Sequence, residues 1–222
     1  MPITEICIFS LLPSTTVSSL LAPSSPHQSL LTTLRSQPGC QSLRWGVGTM
    51  DPLKLFWFIE WDTLTSHQTF QSTPTYSTFT TTALSLTNPS SNPPIQIRHY
   101  PLPTSIPSLL TQSSSSPSPK KPILEYFSIK TTTPPSNLSK TLTTLTDALK
   151  THESDGTPIP ATHAFAIDEG FEQECLALIC WRDKIQHGEF LKTDVFRECA
   201  GSMQQLAAGP PVVDHVDLQE WE

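Results

Sequence analysis

Runs of apolar residues alternate with polar segments in a pattern that occurs twice along the chain. The runs LKLFWFIEW, ending at Trp61, and ECLALICW, ending at Trp181, are apolar, aromatic and β-branched enough for buried strands. Each run leads without a gap into the same spacing, Trp-x5-His-x2-Phe. The paired positions, each 120 residues apart, are Trp61 and Trp181, His67 and His187, and Phe70 and Phe190. The sequence therefore predicts an internal repeat of one structural module.

The periodicity of apolar positions predicts the elements of each copy. In the first copy, the predicted strands are Ile3–Leu11, Cys40–Val47, Leu53–Trp61 and Ile95–Leu102, and the predicted helices are Pro26–Ser36, Leu64–Phe70 and Pro74–Leu86. In the second copy, the predicted strands are Ile123–Thr131, Thr162–Ile167, Cys175–Trp181 and Val212–Trp221, and the predicted helices are Asn137–Thr151, Lys184–Phe190 and Asp194–Ala207. Both copies thus have the order βαββαβ, counting the two consecutive helices of each copy as one α segment.

This order predicts the α+β class and a ferredoxin-like arrangement of four antiparallel strands with helices on one face. The other face of such a sheet is apolar and needs a cover. Two tandem copies in one chain can cover each other, which predicts a single-chain dimeric α+β barrel. The expected domains are residues 1–102 and 123–222, joined by a Ser/Pro-rich linker at 103–122. A second polar loop is expected over Glu153–Pro160.

Composition and charge narrow the classes of partner. The net charge is −7 and no face rich in lysine and arginine is apparent, which argues against nucleic-acid binding. No stretch approaches the ~20 apolar residues of a membrane helix, and no basic residue precedes Arg35, so neither a membrane span nor a secretory signal is expected. The five cysteines include no CxxC pair, which favours free thiols in a reducing, cytoplasmic setting and no metal site.

The strand–Trp-x5-His-x2-Phe segment and the helix after it resemble the antibiotic biosynthesis monooxygenase (ABM) family of the dimeric α+β barrel superfamily. The resemblance implies a cofactor-independent monooxygenase acting on an aromatic or polyketide-like molecule. At two positions the chain differs from members of the family with known activities, and each difference argues against one activity. Quinone-forming members carry an Asn four residues before the Trp, where this chain has Trp57 and Ala177. Haem-degrading members carry an iron-binding His where this chain has Thr80 and Ala200, so haem breakdown and a haem cofactor are not expected.

Four polar side chains are candidates for catalysis. His67 and His187 follow the repeated Trp on a short helix and could act as acid or base near neutral pH. The alternative is a packing role, because both copies keep them. Arg98 and Tyr100 alternate with His99 on the last strand of the first copy and could hold a phenolate or enolate oxygen. His163 and His215 are similar candidates in the second copy.

Four tryptophans are candidates for substrate binding, because indole rings stack on aromatic ligands and donate one hydrogen bond. They are Trp45, Trp57, Trp61 and Trp181. Each has the alternative role of a core anchor between strand and helix.

Two functions remain open on the sequence. One is a small-molecule enzyme of the ABM type, either a cofactor-independent monooxygenase or a cyclase or isomerase. The other is a non-catalytic ligand-binding or scaffold protein of the same fold. The chain is expected to be either a monomeric pseudo-dimer or a homodimer.

Overall fold

A computed structural model describes residues 1–113, 122–152 and 158–219 of the chain. The chain divides into two compact units, one built mainly from Met1–His99 and the other from Tyr100–Val216. Each unit contains one copy of the predicted repeat.

The first unit is a four-stranded sheet with helices on one face. Its elements are β1 (Ile3–Ser10), α1 (Val17–Leu21), α2 (Pro26–Arg35), β2 (Cys40–Gly48), β3 (Lys54–Trp61), α3 (Leu64–Gln71), α4 (Pro74–Ser85) and β4 (Ile95–Tyr100). The strands lie in the order β4-β1-β3-β2, as expected of a ferredoxin-like module.

The second unit repeats this arrangement. Its elements are α5 (Ile106–Ser113), β5 (Ile123–Lys130), α6 (Pro135–Thr151), β6 (Ala161–Phe165), β7 (Glu174–Trp181), α7 (Lys184–Phe190), α8 (Asp194–Leu206) and β8 (Val212–Gln219). The strand order is β8-β5-β7-β6. The antiparallel register also repeats, because Ile3 faces Trp61 as Ile123 faces Trp181.

Alternate residues of the central strands pack against the helices and form the core of each unit. In the first unit, Phe9 and Trp57 meet the stripe of Leu30, Leu31 and Leu34 on α2. In the second unit, the corresponding stripe on α6 comprises Leu138, Leu142, Leu145 and Leu149, all buried. A helix whose apolar residues recur every three or four positions buries one face on a sheet.

The predicted α+β class and the tandem βαββαβ repeats are confirmed by the strand orders of the two units. Two helices, α1 and α5, were not expected. Helix α5 lies within the stretch predicted as linker, and its Ile106 and Leu109 are buried. Three predicted stretches lie outside the described residues: 114–121 of the linker, 153–157 of the polar loop and 220–221 at the end of the last strand. The domain boundaries at 102 and 123 stay a prediction.

All five cysteines are free thiols, and four of them are buried. Among the described residues, the helices are too short or too polar to cross a lipid bilayer.

Candidate functional site

A buried carboxylate on the first strand of each unit binds the tryptophan that ends the third strand. In the first unit, Trp61 Nε1 donates to Glu5 Oε2 at 2.7 Å. In the second unit, Trp181 Nε1 donates to Glu125 Oε2 at 2.5 Å. The repeated strand register places each glutamate on the face that packs against the helices. Neither glutamate is among the candidates predicted from the sequence.

In the first unit, two histidines extend this pair into a series of four side chains in polar contact. His67 Nε2 lies 3.5 Å from Glu5 Oε2, and the His67 and Glu5 side chains are only 3% and 4% exposed. On its other side, His67 Nδ1 is hydrogen-bonded to His99 Nε2 at 2.8 Å. The His67 ring also stacks on Trp61, with centroids 5.1 Å apart. The candidate His67 is therefore held by three buried neighbours, Glu5, His99 and Trp61.

In the second unit, two histidine nitrogens converge on the same carboxylate oxygen. His187 Nε2 lies 3.5 Å and His215 Nε2 3.7 Å from Glu125 Oε2. The histidine side chains are 20% and 21% exposed, compared with 9% for Glu125. His215 Nε2 is itself buried and has no hydrogen-bond partner among the described residues. This set is more open than its counterpart in the first unit.

Desolvation favours the uncharged forms of Glu125, His187 and His215. Burial raises the pKa of Glu125, and the hydrogen bond from Trp181 opposes that shift only in part. Burial lowers the pKa of His187, and the charge of His215 lowers it further. Burial also lowers the pKa of His215, against the opposing charge of Asp214. The two imidazoles thus keep an unprotonated nitrogen to a lower pH than free histidine does.

A large cavity adjoins the set in the second unit. Its volume is about 700 Å³, and Glu125, His187 and Gln204 contribute polar groups to its wall. Most of the remaining wall is apolar and aromatic, and includes Phe127, Ile129, Ile179, Trp181, Phe190 and Met203. This combination of an apolar wall and a few convergent polar groups is typical of small-molecule sites.

The first unit has a cavity at the corresponding place, but its volume is only about 200 Å³. Trp57 of β3 contributes to its wall, whereas Ala177 of β7 stands at the matching position of the large cavity. The Trp57 ring packs against Phe9, with centroids 4.4 Å apart. A bulky indole in place of a methyl group leaves less room between the sheet and the helices.

The four candidate tryptophans have different surroundings. Trp45 is fully buried and packs edge-on against His27, with centroids 4.4 Å apart. Trp57 donates from Nε1 to His27 Nε2 at 3.0 Å. Trp61 anchors Glu5 in the first unit. Trp181 is the candidate whose ring lines the large cavity.

The candidates on β4 are not brought together with His67. Arg98 Nη1 donates to the carbonyl oxygen of Ile97 at 2.6 Å, and Tyr100 donates its hydroxyl to Glu174 Oε1 at 3.0 Å. It is His99, on the opposite strand face, that meets His67. Neither Arg98 nor Tyr100 lines the 200 Å³ or the 700 Å³ cavity.

Comparison with known proteins identifies the fold. No protein-family model matches the sequence, and no curated protein matches it significantly. The solved structures that match nearly the whole chain include three whose names concern oxidation. The "putative monooxygenase from Lactobacillus acidophilus NCFM" is 8% identical with a TM-score of 0.61, over 98% of this chain and 93% of that one.

The other two structures are also distant in sequence. The "putative monooxygenase" from Fusobacterium nucleatum is 8% identical with a TM-score of 0.66, over 99% of this chain and 93% of that one. The "anthrone oxidase-like protein" is 12% identical with a TM-score of 0.65, over 99% of this chain and 92% of that one. These similarities show that the chain shares the fold of the three proteins.

Proposed function

We propose that the protein is an ABM-like small-molecule enzyme, a monooxygenase acting on an aromatic or polyketide-like substrate in the second unit. The observation that carries the proposal is the cavity of about 700 Å³, with Glu125 and His187 in an otherwise mainly apolar wall. Ligand sites for small molecules span about 300–1,000 Å³ and bury most of the ligand. A fused-ring aromatic compound matches both the volume and the apolar lining.

The first unit is not part of this proposal. Its cavity of about 200 Å³ is below the range of typical ligand sites. The polar groups beside it, Glu5 and His67, are almost fully buried and already bonded to each other and to neighbouring side chains. We therefore assign substrate binding to Trp181 and His187 rather than to their first-unit counterparts.

The proposed chemistry uses the substrate as the source of electrons. Three groups in the wall, Glu125, His187 and Gln204, can receive the oxygen-bearing part of the substrate, while the apolar wall excludes water from the ring. Molecular oxygen then converts an activated ring CH₂ to a carbonyl, and the second oxygen atom leaves as water. No organic redox cofactor is required for that balance. The fold shared with a protein named anthrone oxidase-like supports this substrate class.

The test compares matched substitutions in the two cavities. Ala200 on α8 lines the large cavity and Thr80 on α4 lines the small one, at equivalent positions 120 residues apart in the sequence. We expect Ala200→Phe to lower oxygen consumption with anthrone-like and phenolic compounds by at least about tenfold, because a benzyl group occupies the substrate's volume. Thr80→Phe should leave oxygen consumption unchanged.

Oxygen uptake and ligand-induced thermal shifts should be measured together. Loss of both in Ala200→Phe alone supports the proposal. Thermal shifts without oxygen uptake in the wild-type protein would instead establish a non-catalytic ligand-binding protein. Equal turnover in the wild type and Ala200→Phe would refute the assignment to this cavity.

A further inference from the structure

We propose that Glu125, His187 and His215 bind one divalent first-row transition-metal ion. The three residues come from β5, α7 and β8, and one potential ligand atom of each lies within 4.8 Å of the other two. Two imidazoles and one carboxylate form a ligand set that suits zinc, iron, cobalt and manganese. The proposal concerns binding of the ion and does not depend on the monooxygenase function.

The distances are close to those of a loaded site. Both histidine Nε2 atoms approach the same oxygen of Glu125, at 3.5 and 3.7 Å. Ligand atoms bound to one metal at about 2.0–2.2 Å lie roughly 3 to 3.5 Å apart. Small rotations of the side chains would therefore close the set around an ion, without movement of the strands.

One of the proposed ligand atoms, Nε2 of His215, has its hydrogen-bonding capacity unused in the described part of the chain. Nε2 of His215 is buried and makes no hydrogen bond within the described residues. A buried polar atom without a partner costs stability, and such atoms are uncommon in native proteins. A metal ion between His215 and Glu125 would satisfy this nitrogen.

The surrounding residues orient the carboxylate and place it beside the large cavity. Trp181 Nε1 holds Glu125 Oε2 at 2.5 Å, in the way that outer hydrogen bonds fix metal ligands. Glu125 and His187 line the cavity, whereas His215 is not part of its wall. Catalytic metal sites typically have three protein ligands and take their fourth ligand from solvent or substrate, and the adjoining cavity could supply that fourth ligand here.

The first unit provides an internal comparison. Its Glu5, His67 and His99 are also close to one another, but His67 Nδ1 and His99 Nε2 share a direct hydrogen bond of 2.8 Å. One ring donates its N–H proton to the other in that bond, so one nitrogen of each ring is already used. In the second unit, both Nε2 atoms face the carboxylate instead. The metal site is therefore assigned to the second unit alone.

The experiment titrates tag-free, chelator-treated protein with Zn²⁺ and with Co²⁺, whose visible absorption reports nitrogen and oxygen coordination. Equilibrium dialysis with elemental analysis gives the stoichiometry. We expect one ion per chain in the wild type and binding at least about 100-fold weaker in His215→Ala. The matched control, His99→Ala in the first unit, should bind the ion as the wild type does.

His215→Gln serves as a second variant if His215→Ala does not fold, with folding judged by circular dichroism. Unchanged Zn²⁺ affinity in a folded His215 variant would overturn the proposal, as would an equal loss in His99→Ala. A Co²⁺ spectrum that is the same in the wild type and the His215 variants would also overturn the proposal. If a variant loses the Co²⁺ spectrum but still binds an aromatic ligand in the cavity, the proposed function is unaffected. The metal site and the proposed function can therefore be tested separately.

Discussion

Trp57 and Ala177 occupy the same position in the two repeats, yet they produce cavities of very different size. Trp57 faces Cys7 across its strand pair, and Ala177 faces Phe127 in the same register. The cavity beside Trp57 measures about 200 Å³, and the cavity beside Ala177 measures about 700 Å³. One strand position therefore contributes to the difference between a nearly filled unit and an open one.

The first prediction follows from this pair. Enlarging residue 177 through Ala177→Val, Ala177→Leu and Ala177→Trp should weaken binding of an aromatic ligand stepwise, reaching at least about tenfold in Ala177→Trp. The strand already accepts Trp at the equivalent position of the first unit, so the fold should survive. Isothermal titration gives the affinities and urea unfolding gives the stability. Equal affinity across a series of folded variants would contradict a site beside residue 177.

The repeat was predictable because its key residues are close together in sequence. Trp61 and His67 are only six positions apart, so one linear match with Trp181 and His187 identified the module. The regular strands and helices around them follow from their apolar periodicity. Fold class and repeat order therefore need little three-dimensional information.

The polar partners of the histidines were harder to predict. Glu5 and Glu125 stand inside otherwise apolar strand runs, although an Ile-x-Glu pattern at Ile3 and Ile123 marks both. His99 and His215 break the offset of the repeat, because the loops before the last strands differ in length. Residues brought together from separate strands and helices form no linear motif, which is why the sequence indicated no metal ligands.

The second prediction concerns acid stability of the first unit. His27 Nε2 accepts a hydrogen bond from Trp57 Nε1 at 3.0 Å, and its Nδ1 lies 3.2 Å from the Leu20 carbonyl oxygen. Only the neutral ring with its proton on Nδ1 satisfies both contacts. Burial accordingly lowers the pKa of His27 from 6.5 to about 4.

The sign of the effect follows from the lowered pKa. Unfolded protein binds the proton near pH 6.5, whereas folded protein resists it down to about pH 4. The contribution of His27 is therefore complete above pH 6.5 and is lost as the pH falls towards 4. We expect a loss of about 2–3 kcal/mol in the free energy of unfolding between pH 7.5 and 4.5. His27→Gln should remove that part of the acid dependence in urea unfolding; parallel curves for both proteins would contradict it.

The third prediction separates the two repeated histidines. His67 is 3% exposed and bonded to both Glu5 and His99, so His67→Ala should lower the free energy of unfolding by about 2–4 kcal/mol. His187 is 20% exposed beside an open cavity, so His187→Ala should cost about 1 kcal/mol or less. His187→Ala should, however, lower turnover by at least about tenfold. A reversed order of stabilities would contradict the structural role of His67.

The fourth prediction distinguishes steric conflict from backbone strain at two glycines with positive φ. Gly39 has φ of 87°, and an added Cβ would lie 2.5 Å from Ser66 Cβ and 2.6 Å from Asp62 Oδ1. Gly170 has φ of 81°, but no described atom lies within 4 Å of its added Cβ. Gly170→Ala should therefore cost only the strain of a left-handed residue, about 1 kcal/mol. Gly39→Ala adds a clash with the start of α3 and should cost at least about 2–3 kcal/mol more in urea unfolding. Equal losses would mean that strain alone selects glycine at position 39, because only the contact with Ser66 and Asp62 distinguishes the two sites.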